Sequence, residues 1–199
     1  MIQLVPATYF APLELVAIFG RIAPLQVDLG CGDGAFLGEL AQRHPAKNFL
    51  GTEKLVGRVA KACRKTAALE NVRIVNVESS YAVRYLLPEG SVEAFYLLFP
   101  DPWPKRRHHR RRIVQPSFLE SIYRALESGG LLQIVTDQLD YFQHIRRVAF
   151  ALELDRLNQS SFEMVEHDVN LPPTKFEKRF RGQGATIYRL TLRKTSPVR

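Results

Sequence analysis

The chain of 199 residues has little cysteine, methionine or tryptophan: two, two and one residue respectively. Cys31 and Cys63 match no zinc-ligand spacing and no disulfide framework, so a metal-built or disulfide-stapled fold is excluded and no metal is expected. Two isolated thiols fit a reducing compartment, and a cytoplasmic location is expected. No apolar run approaches the roughly 18 residues of a membrane span, so no membrane contact is expected. No basic stretch followed by a long apolar segment opens the chain, so no signal peptide is expected. Internal repeats and low-complexity linkers are also missing. With 46% hydrophobic residues over this length, a single domain covering 1–199 with one real core is predicted.

Acidic charge is in deficit. There are 28 Lys and Arg against 20 Asp and Glu, a net charge of +8. The sequence pI is about 9.7, which fits a polyanionic partner such as nucleic acid. The charge is also clustered. Residues 105–112 read Lys-Arg-Arg-His-His-Arg-Arg-Arg, six full positive charges in eight positions.

Strand-like and helix-like segments alternate, which predicts an α/β fold with a mostly parallel sheet. Residues 8–20 have helical periodicity and make 1–24 a short N-terminal helical segment. Strands are predicted at Gln26–Leu29, Asn48–Glu53, Val72–Val77, Val92–Phe99 and Leu131–Thr136, the fourth apolar enough to be central. Helices are predicted at Ala35–Arg43, Leu55–Leu69, Ala82–Leu87, Ser117–Glu127 and Leu139–Leu154, with a turn at Gly129-Gly130. Residues 155–183 read as an irregular substrate-side segment. Ala185–Lys194 alternates apolar and polar residues, as a half-exposed edge strand does.

Five β-α units in this order predict a doubly wound sheet, which binds ligands at the carboxyl ends of its strands. Those ends carry Asp28-Leu29-Gly30-Cys31-Gly32-Asp33-Gly34, then Glu53, Glu78, Pro100-Asp101-Pro102-Trp103 and Asp137. Five strands delivering acids or glycines to one edge point to a shared site.

Gly30, Gly32 and Gly34 form a G-x-G-x-G turn that lets a ligand lie against the backbone at a helix N-terminus. Tight βα turns without ligands use glycine in the same way. Glu53 shifts the balance, because a carboxylate closing the next strand suits ribose hydroxyls. NAD and S-adenosylmethionine both carry such a ribose. Asp28, two residues before the first glycine, would repel a pyrophosphate and would suit an ammonium group and a nearby sulfonium, which favours S-adenosylmethionine. Glu78 is placed to accept from an adenine amino group, although a solvated loop glutamate fits the spacing too.

Three prolines in Pro100-Asp101-Pro102-Trp103-Pro104 restrict φ and stiffen the loop that presents Asp101. A proline-rich turn with a packing tryptophan is the plainer reading. The position beside the cofactor turn and the polycationic run that follows favour a catalytic loop. The run has no acidic residue to pair with, and its arginines match phosphate oxygens. His108 and His109 have no partner at metal-ligand spacing.

These motifs resemble those of the bacterial tRNA (guanine-N7-)-methyltransferases. The resemblance runs from about Gln26 to Leu192. It rests on the glycine turn, Gly51-Thr52-Glu53-Lys54, Leu98-Phe99-Pro100-Asp101-Pro102-Trp103-Pro104-Lys105, Arg111-Arg112-Ile113-Val114, Val135-Thr136-Asp137 and Thr174-Lys175-Phe176-Glu177. It implies a Rossmann-like class I fold with an antiparallel C-terminal edge strand, S-adenosylmethionine as methyl donor, and tRNA as partner, methylated at N7 of guanine-46 in the variable loop. It also implies that Asp28, Glu53, Glu78 and Asp101 line the cofactor pocket. Lys105, Asp137, Thr174, Lys175, Phe176 and Glu177 would then face the substrate, and Arg107, His108, His109, Arg110, Arg111 and Arg112 would hold the RNA. Family members often carry glutamate at the position of Asp28, aspartate or asparagine at that of Glu78, and a longer N-terminal extension.

N7 of guanine has a free in-plane lone pair and no proton, so Asp101 is expected to meet developing positive charge rather than to act as a base. A monomer or homodimer is expected. An rRNA or small-molecule methyltransferase, a non-catalytic RNA-binding protein and, least of all, a dehydrogenase are the competing readings.

Overall fold

The computed structural model describes residues 2–154, 162–166 and 171–195. Among these, β1 (Gln3–Leu4), β2 (Leu25–Leu29), β3 (Asn48–Glu53), β4 (Val72–Asn76), β5 (Val92–Leu98), β6 (Leu126–Thr136), β7 (Phe162–Val165) and β8 (Tyr188–Lys194) form one sheet in the order β1-β4-β3-β2-β5-β6-β8-β7. Every pairing is parallel except those of β8, which runs antiparallel to both β6 and β7. The expected doubly wound sheet with an antiparallel C-terminal strand is therefore present.

The helical elements are α1 (Leu15–Phe19), α2 (Ala35–Arg43), α3 (Val56–Lys65), α4 (Ser79–Tyr81) running into a π turn at Ala82–Leu86, a 3-10 helix at Arg106–Arg111, α5 (Pro116–Ala125), α6 (Leu139–Leu154) and α7 (Lys175–Gly182). Among the described residues no helix is long and apolar enough to cross a membrane.

Strand side chains alternate between two faces, and this sheet buries both. On β5, Phe95 and Leu97 join a core built with α1, the π turn, α5 and α6, while Ala94 and Tyr96 join a second core with α2 and α3. Leu50 and Val75 share the first core, Phe49 and Ile74 the second. Each fully buried aliphatic or phenyl side chain contributes about 1.5–3 kcal/mol. This two-sided burial explains why the strands read as nearly continuous apolar runs.

The structure departs from the sequence pattern in several places, four of which shape the fold. The periodicity of 8–20 becomes helix only at Leu15–Phe19, because Pro12 lacks the N–H that a helix interior needs. Gly129-Gly130 turns the chain within β6 rather than before it: pairing steps from Val92↔Leu126 to Ala94↔Leu131, and Gly129 takes φ +78°. β8 pairs on both sides, so β7 forms the sheet edge and Leu190 and Leu192 are buried. Within 155–183, β7 and α7 are ordered elements, whereas 155–161 and 167–170 lie outside the described residues.

Candidate active site

Strand order reverses at β2, which has β3 on one side and β5 on the other. Side connections leave in opposite directions there and open a crevice beyond the strand ends. The turn leaving β2 enters this crevice. Gly30, Gly32 and Gly34 take φ of +82°, +58° and +74°, a region that costs L-residues roughly 1–2 kcal/mol each. A Cβ on Gly30 would meet nothing within 4 Å, and one on Gly32 only the Gly30 carbonyl at 4.0 Å, so these residues border open space. On Gly34 a Cβ would lie 2.8 Å from Ala62, so this glycine packs α2 against α3. Thr52 pins the turn by accepting from the backbone N–H groups of Gly30 (3.0 Å) and Cys31 (2.9 Å).

Two carboxylates lie under the turn. Asp28 is 3% exposed and Glu53 4%. Burial, then the nearby charge of Glu53, pushes the Asp28 carboxyl up to about 7. Glu53 accepts from the Leu55 backbone N–H at 2.8 Å, and Arg58 stands 3.9 Å away. Two acids this deep with so little neutralisation are costly. Such a pair is matched by a ligand that brings a cation and hydroxyl donors.

Chain from the far C-terminal side closes the crevice. Thr174, Lys175 and Phe176 join Asp28, Gly30 and Gly32 around a cavity of about 280 Å3. Thr174 caps α7 by accepting from the Glu177 backbone N–H at 3.0 Å. Glu177 is buried beneath the helix and paired with Arg181 at 2.8 Å and with Arg189. It fixes α7 and does not border the cavity. Lys175 donates to Asp33 at 2.6 Å, and Lys65 donates to the same carboxylate. Burial alone would raise Asp33, but the two lysines and the Ala35 N–H outweigh it and hold the carboxyl near 2. Sequence reasoning missed this anchor; its only signal was an acid inside the glycine turn.

After β5 the chain bends sharply. Phe99 takes φ +52° and Trp103 φ +43°, strain of about 1–3 kcal/mol each that its surroundings must hold in place. The Phe99 N–H bonds to Val135 O at 2.7 Å, and its ring packs near Phe180 and Phe176 of α7 at 5.6 and 6.2 Å between centroids. Asp101 lies between these two strained residues in the chain and is exposed.

The basic run is the 3-10 helix and its flanks. With three residues per turn, positions i and i+3 align, so the run divides into rows. Arg106 and His109 border a cavity of about 790 Å3 whose far wall includes Arg146 and Arg147 of α6. His108 and Arg111 flank Trp103, the Arg111 guanidinium 5.0 Å from the ring centre. Arg107 and Arg110 are exposed. Arg112 behaves differently. It is 2% exposed, donates to Pro102 O at 2.9 Å, lies 4.9 Å from the centre of the Tyr141 ring and pairs with Asp140. Its guanidinium therefore holds the Asp101 loop to α6.

Glu53, Asp101 and the remaining predicted positions reach the same sheet edge without lining the 280 Å3 cavity. Lys105 is exposed, and its carbonyl accepts from the His108 N–H at 2.7 Å. Asp137 follows β6 and accepts from Gln138. Glu78 caps α4, accepting from the Tyr81 N–H at 2.9 Å and from Ser80. Among the described residues, no group of three or more His, Cys, Asp or Glu is arranged to hold a metal ion.

Comparison with known proteins agrees with this geometry. The family model described as "Putative methyltransferase" matches residues 22–190. A tRNA (guanine-N(7)-)-methyltransferase of Aeromonas hydrophila is 37% identical over 93% of this chain and 79% of its own. The Leifsonia xyli protein of the same name is 40% identical over 91% and 81%. The Thermotoga maritima one is 36% identical over 92% of this chain, which spans 58% of that longer protein. Among solved structures, an antibiotic-related methyltransferase superposes with a TM-score of 0.64 at 19% identity over 96% of both chains. The 16S rRNA methyltransferase KamB gives 0.64 at 14% over 94% and 95%. At these identities the likeness establishes the fold alone. The sequence identity and coverage establish more: the chain belongs to the tRNA (guanine-N(7)-)-methyltransferase family.

Proposed function

We propose that this protein transfers the methyl group of S-adenosylmethionine to N7 of guanine-46 in the tRNA variable loop, giving 7-methylguanosine, and that it does so in the cytoplasm as a monomer or homodimer. The observation that carries this reading is the course of the Asp101 loop. It leaves β5, the strand paired with β2 and its buried Asp28, and continues directly into the basic 3-10 helix.

The residues present fit the cofactor. Gly30 and Gly32 leave open space along the turn, and Asp28 and Glu53 are deeply buried acids. Asp28 would hold the ammonium group and Glu53 the ribose hydroxyls. When bound, S-adenosylmethionine supplies an electrophilic methyl group on a sulfonium.

Guanine N7 needs no deprotonation, so the work of the protein is alignment. Positive charge arrives on the purine during transfer, and Asp101, fixed between Phe99 and Trp103, offsets it. Asp101, or Asp137, would also accept from guanine N1–H and its amino group, a pair of donors that adenine lacks. Arg107, Arg110 and Arg111 contact phosphates and position the RNA without reading its sequence. Their contacts offset the few kcal/mol needed to draw the base from its tertiary contacts.

The test is incubation of an unmodified tRNA transcript with methyl-labelled cofactor, followed by nucleoside analysis. Label should co-migrate with 7-methylguanosine and disappear when guanine-46 is replaced by adenine. Label in another nucleoside, or in rRNA alone, would overturn the reading.

A further inference from the structure

A second cleft, of about 370 Å3, opens between the π turn and the far side of the basic helix. The π turn arises because the Leu87 N–H bonds to Ala82 O, five residues back, at 3.0 Å. The extra residue lets Leu86 and Leu87 both enter the core while Arg84 and Tyr85 both turn outward. Insertions of this kind recur at functional sites.

Tyr85 is 45% exposed, tilted against Tyr81 with ring centres 4.8 Å apart, and the Arg84 guanidinium lies 5.2 Å from its centre. Arg110 and Arg111 line the opposite wall. So does Arg112, whose Nη1 is buried and has no hydrogen-bond partner among the described residues. An exposed ring between guanidinium groups suits a flat heteroaromatic group with an attached anion. Through its bond to Pro102, Arg112 also connects this cleft to the Asp101 loop.

We propose that the cleft is a nucleotide subsite: a base flanking the target guanine stacks on Tyr85, and its phosphate is held by Arg84, Arg110 and Arg111. This rests on the tRNA reading above. The subsite would grip the strand beside the extruded guanine and keep its neighbour from restacking.

The test compares wild type, Tyr85→Ala and Tyr85→Phe for methyl transfer to an unmodified tRNA transcript. Loss of the ring should raise the tRNA KM about tenfold, with kcat and cofactor Kd unchanged, and Tyr85→Phe should restore the wild-type KM. A transcript carrying 2-aminopurine next to guanine-46 should be quenched by wild type and by Tyr85→Phe but not by Tyr85→Ala. An unchanged KM and equal quenching in Tyr85→Ala, with wild type active, would overturn the subsite alone. A raised cofactor Kd would assign the cleft to the cofactor and overturn it too. A wild type that makes no 7-methylguanosine in tRNA would remove the tRNA reading and the subsite with it.

Discussion

Lys175 donates to Asp33 at 2.6 Å across 142 positions of sequence. One residue lies on the helix that follows Pro172-Pro173, the other inside the first glycine turn. Their contact draws α7 over the crevice and completes its wall. Because Lys175 is exposed, the contact is screened by solvent and weak in stability. Its value lies in geometry.

Asp33→Ala should therefore leave folding nearly unchanged and loosen the cofactor site. We expect the cofactor Kd to rise about two- to fivefold, measured by calorimetry, with little change in melting temperature. An unchanged Kd would mean that α7 needs no tether.

Asp101→Ala should reduce kcat by at least about a hundredfold, the usual scale for removing a fixed group that meets transition-state charge. Affinity for tRNA should stay within a few-fold. Single-turnover methylation and filter binding separate the two. Near-normal turnover would remove Asp101 from the mechanism.

The position of Asp28 near 7 predicts a pH dependence of defined sign. Its folded value lies above the ordinary carboxylate value of 3.8, so the folded apo-protein binds the extra proton. That contribution is present below about pH 4 and is lost as pH rises through 7. A cationic ligand favours the ionised form. Cofactor affinity should thus increase from pH 6 to 8, with proton release at pH 6 detectable by calorimetry in buffers of different ionisation enthalpy. Asp28→Asn should abolish the proton release, weaken binding, and raise the apo-protein melting temperature at pH 8.

The arginines of the basic run should divide by burial. Replacing Arg107, Arg110 and Arg111 with glutamine should raise the tRNA KM and reduce the logarithmic salt slope by about 0.7–0.9 per lost phosphate contact. Arg112→Met should instead cost about 1–3 kcal/mol of stability through lost charge-assisted hydrogen bonds. It should lower kcat by freeing the Asp101 loop and leave the salt slope intact. Equal salt effects from Arg112 and its neighbours would contradict the buried placement.

Much of the framework was legible in local pattern. Ala35–Arg43 and Leu139–Leu154 fold as their helical periodicity predicts, and Asn48–Glu53, buried on both faces, folds as its apolar run predicts. The glycine turn and the acids at the strand ends were legible for a similar reason, since parallel strands bring their carboxyl ends to one edge. What local pattern misplaced depends on a partner distant in sequence. β8 alternates like an edge strand, and its antiparallel pairing with β7, from Phe162↔Lys194 to Val165↔Thr191, covers its outer edge.

The sequence alone determined the alternation of strands and helices, the order of motifs along the chain, and hence the edge at which chemistry collects, because these follow from spacing and chain direction. The tertiary structure decided which charges are available for binding. Arg112 and Arg111 are neighbours of the same type in one run, yet one is sealed against Tyr141 and the other lies against Trp103. Burial depends on what folds over a side chain. For Arg112 that is α6, which supplies Tyr141 and Asp140 from about one-seventh of the chain further on.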